Sequence, residues 1–195
     1  MAHYFENNEN LKSEIKEIKS FIQKQEFTFF TDNGVFSKKG LDYGTRILLE
    51  NIDICKIKGD ILDFGCGYGP IGIFISKMTN LNVDMVDINN RSLNLAIKNS
   101  KKNNVKTNIF LSSFYKNISK KYDFIITNPP IRIGKKNLYE ILFGAKKYLK
   151  QNGELWLVIN KNQGAKSLLE DLKAEYITET VNKDGGFYVI RAINN

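Results

Sequence analysis

GDILDFGCGYGPIGIFISKM, residues 59–78, runs from a short apolar strand through a glycine loop into an apolar helix. NVDMVD (82–87) follows as a second strand. The alternation continues downstream. The spacing predicts a helix over 90–102 with Leu93, Ala96 and Ile97 inward, then strands TNIFL (107–111) and YDFIIT (122–127). A helix over 137–149 carries Leu138, Ile141, Leu142, Ala145 and Leu149 at helical spacing, and GELWLVIN (153–160) reads as a buried strand. Residues 163–175 put Ala165, Leu168, Leu169 and Leu172 on one helix face. YITETVN (176–182) and GFYVIRAI (186–193) then read as an antiparallel pair around Gly185-Gly186. Strands alternating with helices imply a doubly wound α/β sheet, mostly parallel, covered on both faces and ended by an antiparallel hairpin.

Upstream of the loop the pattern changes. Leu11, Ile15, Ile18 and Ile22 recur at spacings of four, three and four, which predicts a helix over 10–24. EFTFF (26–30) and GVFS (34–37) flank Thr31-Asp32-Asn33-Gly34, where Asn-Gly favours a tight hairpin. LDYGTRILLEN (41–51) reads as a short helix. The expectation is one domain over 1–195, with a helix-and-hairpin extension over 1–40 and the α/β core over 41–195.

Composition limits the chemistry. The 195 residues are 42% hydrophobic and 26% charged, as in an ordinary globular domain rather than a disordered chain. Cys55 and Cys66 are too few for a disulfide scaffold, and His3 is the only histidine. Histidine triads and histidine metal sites are thereby excluded, and no metal is expected. No run of about 18 apolar residues is present, and the polar start lacks a secretion signal, so a cytoplasmic protein away from membranes is expected. The net charge is +8, carried by 29 Lys and Arg against 21 Asp and Glu. Lysine and asparagine are both favoured by AT-rich coding sequence, yet the excess still attracts polyanions. It concentrates between Arg132 and Lys150, where Arg132, Lys135, Lys136, Lys146, Lys147 and Lys150 face Glu140 alone.

The glycine loop contains Gly67-x-Gly69-x-x-Gly72, which matches a dinucleotide fingerprint, a weak signal alone. Its registration argues against NAD. The tight turn begins at Gly65 beside Asp63, whose carboxylate repels a pyrophosphate but suits a cofactor carrying an ammonium group. S-adenosylmethionine has that ammonium, a sulfonium and no phosphate. Gly65, Gly67 and Gly69 let backbone approach the cofactor, with Cys66 and Tyr68 between them. Asp87 ends the second strand, placed to accept hydrogen bonds from ribose hydroxyls, with Ile88 next to it. That feature fits NAD equally well. Ser113, followed by Phe114, is either an adenine contact or a plain surface serine.

Asn128-Pro129-Pro130-Ile131 follows YDFIIT directly, and the prolines hold Asn128 extended at the strand's end. The lone pair of a planar exocyclic amine is delocalised, so the amine is a weak nucleophile. If the Asn128 side-chain oxygen and the Pro129 carbonyl accept its two hydrogens, the nitrogen can pyramidalise toward a methyl donor. No histidine base is needed, because the methylated nitrogen is acidic. On this reading Asn128→Asp retains more activity than Asn128→Ala, since a carboxylate oxygen also accepts. Pro130 and Ile131 shape the pocket, and Arg132 and Lys135 approach phosphates.

With these motifs the chain resembles class I S-adenosylmethionine-dependent methyltransferases: DFGCGYG (63–69), VDIN (86–89) and NPPI (128–131). More narrowly it is similar to the ribosomal RNA small subunit methyltransferase C family in its short single-domain form. TFFTDNGVFSKKGLDYGTRILLE (28–50), LDFGCGYGPIG (62–72), DFIITNPPIRIGKK (123–136), QGAKSLLEDL (163–172) and GGFYVIRA (185–192) carry that likeness. The resemblance implies a Rossmann-like methyltransferase sheet and methyl transfer to guanine N2 in small-subunit (16S) ribosomal RNA. It also implies S-adenosylhomocysteine as product and ribosomal RNA or the small subunit as partner. Where many relatives carry a base-stacking aromatic this chain has Ile131, and where many carry an acid it has Ser113. The rivals are a DNA adenine-N6 or protein glutamine methyltransferase, an NAD enzyme, and a non-catalytic RNA-binding module.

Overall fold

The computed structural model describes residues 11–195, so His3 and the polar first stretch lie outside the described residues. The central sheet contains β3 (Ile61–Phe64), β4 (Val83–Asp87), β5 (Thr107–Leu111), β6 (Tyr122–Thr127), β7 (Leu149–Asn160), β8 (Ile177–Asp184) and β9 (Phe187–Ile193). A separate pair is formed by β1 (Lys16–Ile22) and β2 (Gln25–Thr31). The α-helices are α1 (Tyr43–Asn51), α2 (Pro70–Thr79), α3 (Asn90–Lys102), α4 (Lys135–Tyr148) and α5 (Ala165–Leu172).

The spatial order is β5-β4-β3-β6-β7-β9-β8. The first five strands are parallel, β9 runs antiparallel to β7, and β8 antiparallel to β9. From β3 the chain builds outward through β4 and β5, then returns to lay β6 and β7 on the other side. Strand order therefore reverses between β3 and β6, the position where open sheets leave a crevice beyond their carboxyl ends. Side chains from alternate strand positions feed two cores. Ile61, Val83, Met85 and Ile126 pack with α1–α3, and Leu62, Phe64, Val86 and Ile125 pack with α4 and α5. Asp63 falls on the α2 face, where a Cβ at Gly72 would lie 2.6 Å from Met85 Sδ. Glycine lets this helix settle that close to the sheet.

The extension departs from expectation. Residues 10–24 do not form the expected helix: β1 occupies 16–22 and pairs with β2 through a two-residue turn at Gln23 and Lys24, both at positive φ. Ile18 and Ile22 are four apart, a spacing shared by strand and helix periods. Between them the inward position holds Ser20 and the outward one holds Phe21, 59% exposed, so the alternation of polarity is masked. Asn33-Gly34 is not the hairpin turn. Asp32 there accepts hydrogen bonds from Ser13, Asn33 and Arg91 instead. The free edge of β2 is closed by α3: Asn103 exchanges hydrogen bonds with the Thr28 backbone, and Asn99 with that of Phe30. Asn99 lies on the buried face of α3, and Asn103 is the buried residue that caps its end. Ile97, expected inward, is 41% exposed, and Leu95 takes its place in the core.

Candidate active site

The loops after β3, β4, β5 and β6 surround one cavity of about 220 Å³. The loop after β3 is stitched to β4, because Gly65 and Cys66 both donate backbone N–H to Val86 O at 2.9 Å. Gly65 and Gly67 have φ of 71° and 55°, and a Cβ at either would meet no atom within 4 Å. The loop thus offers bare backbone on its open side. Gly69, at φ 101°, leads into α2, which starts with Pro70 at its first turn. Tyr68 lines the cavity yet is nearly fully buried, its carbonyl held by Asn99. Cys66 also lines the cavity, and burial pushes its thiol well above the usual range.

Asp63 sits beneath this loop rather than on the cavity wall. Its Oδ2 accepts the Gly72 N–H at 2.8 Å, and its buried Oδ1 has no hydrogen-bond partner among the described residues. Burial, with the Asp87 charge nearby, pushes its carboxyl up to about 8. Asp87 does line the cavity, and accepts from Gly67 N and Asn89 N at 2.8 Å each. Burial raises its carboxyl too, against these two bonds. Two carboxyl groups, with no cationic side chain paired to them among the described residues, thus flank the glycine loop. The donor set suits an adenosine cofactor with a positive charge: bare glycine backbone, an orphaned buried carboxyl oxygen and a carboxylate at the end of β4.

The wall after β5 is formed by Ser112 and Phe114 and not by Ser113. Phe114 is at φ 51°, and the Ser112 hydroxyl donates to its carbonyl at 2.8 Å, which curls the loop so that Ser113 turns away. Ile88 lines the cavity with 40% exposure.

After β6, Asn128, Pro129 and Pro130 line the cavity. Asn128 Nδ2 donates to Asp42 Oδ2 at 2.9 Å and to Thr45 Oγ1 at 2.8 Å. Its Oδ1 makes no hydrogen bond to a described residue. In the following 3₁₀ turn, Ile131–Ile133, both isoleucines are half-buried against the core on the α4 side, but only Ile133 lines the cavity. Arg132 and Lys135 are exposed outside the cavity, and Lys135 Nζ lies 4.8 Å from the Tyr139 ring centre. The basic stretch is split along α4. Lys146 pairs with Glu175, and Lys150 with Asp60 and Asp123, at the end remote from the cavity. Sequence reasoning missed Phe36, Thr45, Ile133 and Asn137 on the cavity wall, and Asp42 behind it. Only Asp42-x-x-Thr45 left a trace, as the helix-capping pattern that α1 shows: Thr45 N donates to Asp42 at 2.9 Å.

A sheet of this order with a glycine loop and Asn-Pro-Pro-Ile at its carboxyl edge defines the Rossmann-like methyltransferase fold. The family described as methyltransferase small domain matches residues 26–191, and the chain belongs to it. A Bacillus subtilis (strain 168) protein named uncharacterized protein YbxB is 39% identical over 196 residues, covering 97% of each chain. Ribosomal RNA small subunit methyltransferase C of Haemophilus influenzae (strain 86-028NP) is 38% identical over 175 residues, 87% of this chain and 52% of that protein. Among solved structures, the T. thermophilus 16S rRNA N2 G1207 methyltransferase in complex with AdoMet and guanosine aligns with a TM-score of 0.84 and 25% identity. It covers 95% of this chain and 52% of that one. The chain thus spans about half the length of these named methyltransferases. No helix among the described residues is long and apolar enough to cross a membrane.

Proposed function

We propose that this methyltransferase acts in the cytoplasm on the exocyclic N2 of a guanine in 16S ribosomal RNA. The observation that carries the reading is the Asn128 amide, whose nitrogen is tied back to Asp42 and Thr45 while the residue lines the cavity. Its oxygen is left to accept a hydrogen from a planar amine. S-adenosylmethionine is the cofactor and, when bound, supplies an electrophilic methyl group. Gly65 and Gly67 would give backbone access for it, Asp87 on the cavity wall would accept from its hydroxyls, and Asp63, its buried carboxyl raised to about 8, would ionise beneath the loop to balance its ammonium. Asn128 and the Pro129 carbonyl take the amine hydrogens and aim the nitrogen lone pair. With the cofactor bound, the nitrogen so aimed would take the methyl group in place of one hydrogen, and that proton would leave to water. Pro130 and Ile133 give the base an apolar wall. A paired base cannot reach such a recess, so the guanine is single-stranded or flipped out. The two relatives named for RNA methylation support this substrate over DNA adenine or protein glutamine, which offer the same kind of nitrogen.

The test is transfer of tritiated methyl groups to RNA, DNA and protein from cells lacking the enzyme, with the labelled product digested and identified. N2-methylguanosine from 16S RNA is expected. Label in adenine of DNA or in glutamine would replace the substrate assignment with a rival.

A further inference from the structure

We infer that Asp42 and Thr45 are positioning residues that fix which way the Asn128 amide faces. The inference rests on the methyl-transfer reading above. A side-chain amide can sit in two orientations that differ only by exchange of its oxygen and nitrogen, and only one presents an acceptor to the target amine. An ionised carboxylate accepts and never donates. Asp42 Oδ2, 2.9 Å from Asn128, therefore demands the amide nitrogen on its side. Thr45 completes a consistent circuit. Its hydroxyl donates to the same Asp42 oxygen at 3.4 Å and accepts the second Asn128 hydrogen at 2.8 Å. Both amide hydrogens are thus consumed on the α1 side. The reversed amide would set its oxygen against the carboxylate and turn two donors toward an amine that needs acceptors. The Asp42 charge also polarises the amide, making Oδ1 a stronger acceptor as the attacking nitrogen gains positive charge.

The pair is held firmly enough to do this. Asp42 caps α1 through Thr45 N, Thr45 is 3% exposed, and a Cβ at Gly44 would lie 2.9 Å from the Phe187 ring and 3.1 Å from Asp42 Oδ2. The start of α1 is therefore wedged against β9 with the carboxylate aimed at the end of β6.

Asp42→Ser separates capping from positioning. Serine is an equally good cap, but its hydroxyl is one atom too short to reach Asn128. The full chain should melt near the wild-type temperature and bind S-adenosylmethionine as before. Single-turnover transfer to 16S RNA from cells lacking the enzyme should fall on the order of 10–100-fold, the scale of a misplaced reacting group. Asp42→Asn, which can still accept from Asn128, should recover part of the rate. In an Asn128→Ala background Asp42→Ser should cost nothing more, since it acts through the amide already removed. The Asn128 side-chain amide resonances, assigned by their loss in Asn128→Ala, should shift in Asp42→Ser. This second readout needs no RNA, so it decides the positioning even if the wild type proves to methylate another substrate. Unmoved amide resonances, a wild-type rate in Asp42→Ser, or a loss additive with Asn128→Ala would each overturn the inference.

Discussion

At the amino edge of the central sheet Asp60, Asp84 and Asp123 all reach lysine, whereas at the carboxyl edge Asp63 and Asp87 reach only backbone N–H groups among the described residues. Lys120 bridges Asp60 and Asp84 at 3.1 Å each, Lys150 bridges Asp60 and Asp123 at 2.8 and 2.7 Å, and the Tyr122 hydroxyl donates to Asp84. Those hydrogen bonds, Lys150 first, hold the Asp60 carboxyl below its ordinary value. Asp63 has the opposite environment and the opposite shift. One protein thus contains acids whose charge is balanced by lysine and acids whose carboxyls burial raises with no cationic side chain beside them among the described residues. Raised carboxyls that meet no cationic side chain among the described residues, beside a cavity, are the pattern of a binding edge rather than a structural one. The basic residues sort the same way, since Lys146 and Lys150 are paired at one end of α4 while Lys135 and Lys136 stand exposed at the other.

The largest effect comes from changing the polar group that faces the substrate. Asn128→Ala should cut single-turnover transfer on the order of 10²–10³-fold, as for loss of one preorganised polar group, with an unchanged melting curve. The structure reverses the expectation for Asn128→Asp. An aspartate there would set a second carboxylate against Asp42 Oδ2, which now accepts from Nδ2 at 2.9 Å. It should therefore be no more active than alanine and less stable, and an Asp variant outperforming Ala would show that Asp42 does not face this group.

Next in size is cofactor binding. Asp87→Ala should weaken S-adenosylmethionine by about 1–3 kcal/mol, the scale of a lost charged hydrogen bond, whereas Lys120→Ala at the other edge should leave the dissociation constant alone. Equal effects at both edges would erase the contrast.

A smaller effect lies in the pH dependence of stability. The folded Asp63 carboxyl, at about 8, lies above its unfolded value near 4. The folded state holds the extra proton between these values, so this group's contribution to stability falls as pH rises from about 4 to 8 and is flat beyond. Asp60 is depressed, so its contribution is present above the unfolded value and fades as pH drops through the lower folded one. Asp63→Asn should flatten the melting-temperature profile between about pH 5 and 8, and Asp60→Asn only its acid limb. The same slope in wild type and Asp63→Asn would contradict the assignment. The smallest effect is on RNA affinity: Lys135→Glu with Lys136→Glu should reduce its salt slope, while Lys147→Glu at the remote end should not.

What the sequence made legible follows from the same division. From β3 onward each strand is short and apolar, each helix shows its periodic face, and glycine or proline marks the turns between them. That is why β3 to β9 and the two cavity loops fall where expected. The extension is ambiguous in sequence because Ile18 and Ile22 satisfy both periods and Ser20 hides the alternation. Asn99 and Asn103 close the edge of β2 with side chains whose partners lie about seventy residues away, a role no local pattern announces. Asp42 is of this kind as well. Its capping role is local, but its contact with Asn128 exists only once α1 meets β6. The placement of Ile133 rather than Ile131 on the cavity depends on the phase of one 3₁₀ turn.

The contrast between the two edges is tested most directly by calorimetric titration of the full chain with S-adenosylmethionine and, in parallel, NAD. Titrations at pH 7 in two buffers of different ionisation enthalpy count the protons exchanged. S-adenosylmethionine should bind and release up to about one proton, as its ammonium draws the Asp63 carboxyl down from its raised value, and Asp63→Asn should abolish that release. NAD, whose pyrophosphate meets the same acids, should not bind at comparable affinity. Comparable NAD binding, or S-adenosylmethionine binding with no proton released, would contradict the claim that the carboxyl edge holds its acids in reserve for a cationic cofactor.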